Sequence, residues 1–189
     1  MIKGILQYAH HLLEETVEKG ETVIDATCGN GNDTLFLSKL AGSSGHVFAF
    51  DIQEQAIAST KQILTEHECT NVTLIHDSHS FIEKYIPNEL HGKIGGAIFN
   101  LGYLPKSDKS VITKSDSTIT AIAAILSCLK KDGLIVIAVY HGHEGGKEEK
   151  DSVLEYVRGL NQKEFNVLQY HFINQKNSPP FLLAVQKRK

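Results

Sequence analysis

Several things are scarce in this chain of 189 residues, and each scarcity narrows the field. No apolar stretch approaches the roughly 20 residues needed to cross a bilayer. The start, Met1-Ile2-Lys3-Gly4, has none of the basic, apolar and small-residue order of a secretory signal, so a soluble cytoplasmic protein is expected. Cysteine is limited to Cys28, Cys69 and Cys128. An odd number without C-x-x-C spacing argues against a disulfide framework and a zinc knuckle, which leaves reduced thiols. Positive charge is not in excess: 19 Lys and Arg face 22 Asp and Glu, a net charge of -3. The broad basic face of many nucleic-acid binders is therefore missing, and any RNA contact must use local patches. Lys106, Lys109 and Lys114 form one candidate patch, and Lys187, Arg188 and Lys189 another; a plain solvated face is the alternative for both. No repeat or low-complexity segment divides the chain. With 41% hydrophobic residues, one domain spanning residues 1–189 is expected.

What is present is a regular alternation. Helical periodicity over residues 4–19, with Gly20 as a stop, predicts a lead-in helix within residues 1–20. Short apolar runs at 22–26, 46–50, 72–75, 97–99 and 134–139 then alternate with helical stretches near 33–40, 53–67, 78–86, 116–130 and 149–161. Strand and helix in alternation predict a parallel sheet covered on both faces. The runs at 164–171 and 180–186 have no helix between them and should pair antiparallel. The expected class is α/β, a seven-stranded, mostly parallel, Rossmann-like sheet with an antiparallel C-terminal hairpin. That arrangement resembles class I methyltransferases.

Chemistry concentrates where the predicted strands end. In Asp25-Ala26-Thr27-Cys28-Gly29-Asn30-Gly31-Asn32-Asp33-Thr34 an apolar strand enters a glycine turn and then a helix. Gly29 and Gly31 permit positive φ and close approach of a ligand to backbone, and Asn32 or Asp33 can cap the helix. The third glycine of a dinucleotide fingerprint is replaced by Thr34, and Asp33 is a poor neighbour for a diphosphate. An acidic turn suits a cofactor bearing an ammonium and a sulfonium, S-adenosylmethionine. Asp51, at the next strand end and followed by Gln53, can accept from ribose hydroxyls or else cap the next helix. Asp77, Ser78 and His79 stand at a third strand end, where an adenine amino group is commonly met; Ser78 could equally be a cap.

The fourth strand runs into Asn100-Leu101-Gly102-Tyr103-Leu104-Pro105, which is similar to the N-P-P-Y motif of amino-group methyltransferases. There an Asn oxygen accepts from a substrate N–H and a Tyr ring stacks on a planar base. The alternatives are a turn former and a half-buried aromatic. After the fifth strand, Tyr140-His141-Gly142-His143-Glu144-Gly145-Gly146 forms a glycine-flanked loop at the same edge, implicated in substrate binding; its His141, His143 and Glu144 lack a second ligand cluster, so no metal is expected. His10 and His11 read as helix-surface residues, one of which could face the cofactor.

Taken together, the segments 25–34, 100–105, 141–146 and Asn177-Ser178-Pro179-Pro180 resemble the small YtqB/MnmM family of Gram-positive bacteria, over nearly the whole chain. The resemblance implies methylation of 5-aminomethyl-2-thiouridine at tRNA wobble position 34, with S-adenosylmethionine as donor. It also implies that Asn100 and Tyr103 orient the base, that Leu101, Gly102, Lys106, Lys109, His141 and His143 contact the anticodon stem-loop, and that the protein is a homodimer. Other readings are an rRNA or other RNA base methyltransferase, a small-molecule amine methyltransferase, a non-catalytic S-adenosylmethionine-sensing or RNA-binding protein, and a nicotinamide dehydrogenase.

Overall fold

The computed structural model describes residues 1–102, 115–142 and 145–189. After helix α1 (Ile5–Thr16), the chain lays down β1 (Thr22–Asp25), α2 (Asn32–Ala41), β2 (His46–Asp51), α3 (Glu54–Glu66) and β3 (Val72–His76). A 3-10 turn, His79–Phe81, and the short α4 (Ile82–Tyr85) lead through a second 3-10 turn to β4 (Ile94–Leu101). Then come α5 (Ser115–Cys128), β5 (Leu129–Val139), α6 (Gly146–Arg158), β6 (Phe165–Tyr170) and β7 (Phe181–Lys187). The strands form one seven-stranded sheet in the order β3-β2-β1-β4-β5-β7-β6. Pairings from β3 through β5 are parallel, and β7 runs antiparallel to both neighbours. The fold is the expected one.

Burial explains the placement of each strand. Every residue of β4 except Asn100 is buried, as a central strand covered on both faces requires. In β7 the run Phe181–Val185 is buried, so it belongs inside the sheet; β6 exposes Val167 and Leu168 and closes the edge. Two apolar layers sandwich the sheet. One is built around Phe50, Phe99, Ile122, Ile125 and Ile137, and the other around Leu13, Leu37, Val47, Val136 and Leu182.

Helix α1 joins the second layer through Ile5, Ala9 and Leu13, spaced to fall along one helical stripe, with Val17 packed just beyond its end. Its close seating depends on Gly96, where a Cβ would stand 2.9 Å from Leu13 and 3.0 Å from Val17. The helix ends at Thr16, earlier than periodicity suggests: Val17 is already extended, and the Thr16 hydroxyl turns back onto the Leu12 carbonyl at 2.8 Å. The segment 78–86 is a 3-10 turn followed by one helical turn rather than a single helix, because the Ser78 hydroxyl accepts the Ser80 amide and tightens the entry. β5 begins at Leu129, where helix was expected, since Leu129 already pairs with Ile94 before the strand is offset at Asp132 (φ 64°) and Gly133.

The chain builds β1, β2 and β3 outward and then returns to place β4 on the other side of β1. Helices that leave β1 and β4 diverge to opposite faces at such a reversal, opening a crevice beyond the carboxyl ends of the two strands. Gly31 shapes its floor. It caps α2 in the left-handed conformation (φ 84°), and a Cβ there would meet Ile63 at 2.6 Å and the Thr60 Cα at 2.8 Å. Overpacking and left-handed strain together should make Gly31→Ala cost about 3 kcal/mol. Urea unfolding measures this; a loss below about 1 kcal/mol would mean that α3 can withdraw freely.

Candidate active site

Asp25 ends β1 wholly out of reach of water. One of its carboxylate oxygens accepts the Thr27 amide at 3.1 Å and the other accepts the Thr34 hydroxyl at 2.6 Å. The turn from strand to helix is thereby clasped at both ends. Thr27 passes the constraint to the next strand, since its hydroxyl accepts the Asn100 amide at 2.7 Å. The Cys28 amide donates to the Phe50 carbonyl at 2.9 Å, and burial pushes the Cys28 thiol up, away from thiolate chemistry.

Asp33, nearly buried in the first turn of α2, is the hub. His10 Nε2 lies 2.7 Å from one of its oxygens, and the Asn100 side-chain nitrogen makes a long 3.4 Å approach to the other. The His10 ring stacks on Phe36, 3.9 Å between centroids and 6° from parallel. Neither Asn32 nor Asp33 caps α2. Gly31 occupies the cap with no side-chain bond, so Asp33 turns its carboxylate into the crevice and exposed Asn30 and Asn32 remain at the rim. His10 is the residue the sequence concealed: its partner is 23 positions away, and nothing in a His-His pair within a helix marks which ring faces inward. Tyr140 opens the glycine-flanked loop implicated in substrate binding and brings a phenol to this edge. It follows β5 beside Gly102, and burial, with the Asp33 charge second, raises its phenol pKa.

Asp51 is bonded through both of its carboxylate oxygens. It accepts the Gln53 amide at 2.9 Å in the entry to α3, and its other oxygen accepts the Gly29 amide at 3.0 Å, drawing the glycine turn towards β2. Asp77 accepts the Ser78 amide and the Tyr85 hydroxyl, each at 2.7 Å, and the Tyr85 bond holds its carboxyl below the usual range. Ser78 is the cap of the 3-10 turn. His79 is buried, its Nδ1 3.0 Å from the Ala26 carbonyl, which can only accept; Nδ1 therefore carries the proton. Among the described residues its Nε2 is a buried acceptor without a partner, and burial lowers its pKa.

The structure brings Asp25, Thr27, Gly29, Gly31, Asp33, Thr34, Asp51 and Asn100 together where β1, β2 and β4 end, and Asp77 and His79 follow at β3. Leu101 is buried and Gly102 half-buried at the end of β4. His141 donates from Nε2 to the Pro179 carbonyl at 3.1 Å, fastening its loop to the start of β7. Tyr103, Lys106, Lys109, Lys114, His143 and Glu144 lie outside the described residues. The terminal basic run is remote from the crevice: Lys187 pairs with Phe165 and bonds the Leu126 and Leu129 carbonyls, at the edge where β4 and β5 begin. Among the described residues, no helix is long and apolar enough to cross a membrane.

Residues 47–186 match the model of a family described as "Putative rRNA methylase". A chloroplastic tRNA (mnm(5)s(2)U34)-methyltransferase of Arabidopsis thaliana is 40% identical over 98% of this chain and 70% of its own length. A crystal structure of a "putative rRNA-methylase" from Clostridium thermocellum superposes with a TM-score of 0.95 and 44% identity, covering 99% of both chains. That of a "putative methyltransferase" from Streptococcus mutans, in complex with SAH, has a TM-score of 0.90 and 45% identity, again over 99% of both.

Burial first, and the Asp33 charge second, push the Asp25 carboxyl from 3.8 up to about 7. Below pH 4 folded and unfolded chains both hold this proton. As pH rises from about 4 to about 7 the unfolded chain ionises while the folded chain does not, so stability falls through that window, by at most about 4 kcal/mol. Relative to wild type, Asp25→Asn should lose less stability between pH 4.5 and 7.5 in urea titrations. Parallel profiles would show that Asp25 is ionised throughout.

Proposed function

This chain belongs to that rRNA-methylase family and is an S-adenosylmethionine-dependent methyltransferase; from this premise we propose that its substrate is tRNA and that it converts 5-aminomethyl-2-thiouridine at wobble position 34 to the 5-methylaminomethyl form. The printed activity of the Arabidopsis relative supports the choice of nucleotide. The observation that carries the choice of reacting group is Asn100, whose backbone is tied to Thr27 and whose side-chain nitrogen faces Asp33. Its carboxamide oxygen is left to accept from a substrate N–H.

The crevice suits the methyl donor. Among the described residues no lysine or arginine forms an ion pair with Asp33, Asp51 or Asp77, so negative charge is left for a cationic ligand. In the proposed assignment the turn through Thr27, Gly29, Asn30, Gly31, Asn32, Asp33 and Thr34 holds the amino-acid end. Asp51 and Gln53 take the ribose, and Asp77, Ser78 and His79 surround the adenine, with the unpartnered His79 Nε2 as a ready acceptor. When bound, the donor supplies an electrophilic methyl group on a positively charged sulfur.

The protein's part is alignment. Asn100 accepts one N–H of the aminomethyl group, which leaves the nitrogen lone pair to be aimed. The amine must arrive neutral, and the proton it sheds after methylation passes to solvent. Tyr103 is assigned to stacking on the base and Lys106 and Lys109 to phosphates, with Leu101, Gly102, His141 and His143 lining the approach. A chain of net charge -3 then relies on pockets and stacking to hold a splayed anticodon base. We assign the whole chain to one domain, acting as a homodimer in the cytoplasm.

Nucleosides from the tRNA of a strain lacking the protein should contain 5-aminomethyl-2-thiouridine, which purified protein and S-adenosylmethionine convert to the N-methyl form. Asn100→Ala should cut turnover at least 100-fold and change donor affinity less than threefold. Unchanged tRNA, with methyl incorporated into rRNA instead, would overturn the choice of substrate.

A further inference from the structure

A carboxamide has two faces, and turning it over exchanges an acceptor for a donor. Asn100 can receive an N–H only while its oxygen points to the substrate. Asp33 decides between the two orientations, because an ionised carboxylate accepts and cannot donate. It attracts the Asn100 nitrogen and would repel the oxygen, although at 3.4 Å this contact is long and weak by itself. Its influence therefore depends on how firmly Asp33 is held. The firm contact comes from α1, where His10 Nε2 stands 2.7 Å from the other Asp33 oxygen and the ring is clamped flat against Phe36. Ring and carboxylate are both largely shielded, with side-chain exposures of 28% and 10%.

We propose that His10 is a positioning residue for methyl transfer: by holding Asp33 it fixes which face of Asn100 meets the substrate, and so selects a nucleophile that carries its own hydrogen. This rests on the reading of Asn100 as the substrate contact. It gives α1, otherwise a helix that covers the sheet, a part in specificity. His10 is not required to exchange a proton; its role is to donate a bond to Asp33.

Two variants separate the bond from the packing. His10→Phe keeps a flat ring on Phe36 and loses the N–H, whereas His10→Gln offers an N–H at similar reach. With isotope-labelled donor and total tRNA, His10→Phe should lower kcat about tenfold or more, with KM for tRNA and donor Kd within twofold of wild type. His10→Gln should recover to within threefold of wild type. An unchanged kcat in His10→Phe, or donor affinity falling in step with kcat, would overturn the proposal, the second outcome marking His10 as a support of the donor pocket. A measurement without donor or RNA complements these: the Asn100 side-chain NH2 resonances, identified by their loss in Asn100→Asp, should move in His10→Phe and return in His10→Gln. Resonances that stay in place would also overturn it. Mass spectrometry of the labelled product separates the two claims, since methyl on another nucleoside refutes the wobble assignment while the pattern across variants still decides the role of His10.

Discussion

A carboxyl group sealed from water at the end of the central strand is the constraint on which the site depends. Burying Asp25 is costly, and the cost is offset by bonds from the Thr27 amide and the Thr34 hydroxyl and by partial neutralisation near pH 7. Those two bonds fold the chain from β1 into α2, which turns Asp33 into the crevice. Thr27 extends the clasp across the sheet to Asn100. The group proposed to touch the substrate is thus tied, through Thr27, to a carboxyl sealed from water.

Topology supplies the place and the clasp supplies its shape. The return from β3 to β4 opens the sheet at its carboxyl edge, and Asn100, Leu101 and Gly102 lie where β4 emerges beside β1. The same geometry keeps Lys187 away from the crevice, since β7 runs antiparallel and delivers it to the opposite edge. Lys187 is spent there on the carbonyls that join α5 to β5. A short list of charged side chains is sorted by strand direction alone.

The chemistry that this arrangement favours is passive. Cys28 is held away from its thiolate form, His79 is kept neutral by burial, and His10 is bound to a carboxylate. Where the methyl is carried on a sulfonium and the leaving group is a neutral thioether, transfer asks for alignment more than for acid or base. The acceptor proposed at Asn100, on a backbone tied to Thr27, serves that need.

Much of this was legible in the residues. The apolar runs marked every strand, the missing helix between residues 164 and 186 announced the antiparallel pair, and three acidic strand ends marked the crevice. Local rules also misled: α2 has no side-chain cap, because the tight packing of Gly31 on Thr60 and Ile63 fixes that turn and frees Asp33 for the crevice. Ser78 caps its 3-10 turn, as one of the two readings of that strand end expects. Periodicity and strand order depend on neighbours in the chain, so the sequence by itself determined the sheet, its ligand edge and the residue types there. Which side chains meet across that edge depends on contacts between residues 23 to 73 positions apart, His10 with Asp33 and Thr27 with Asn100 among them. Such pairs leave no mark in local spacing, and only the packing of α1 and β4 against the clasp decided them.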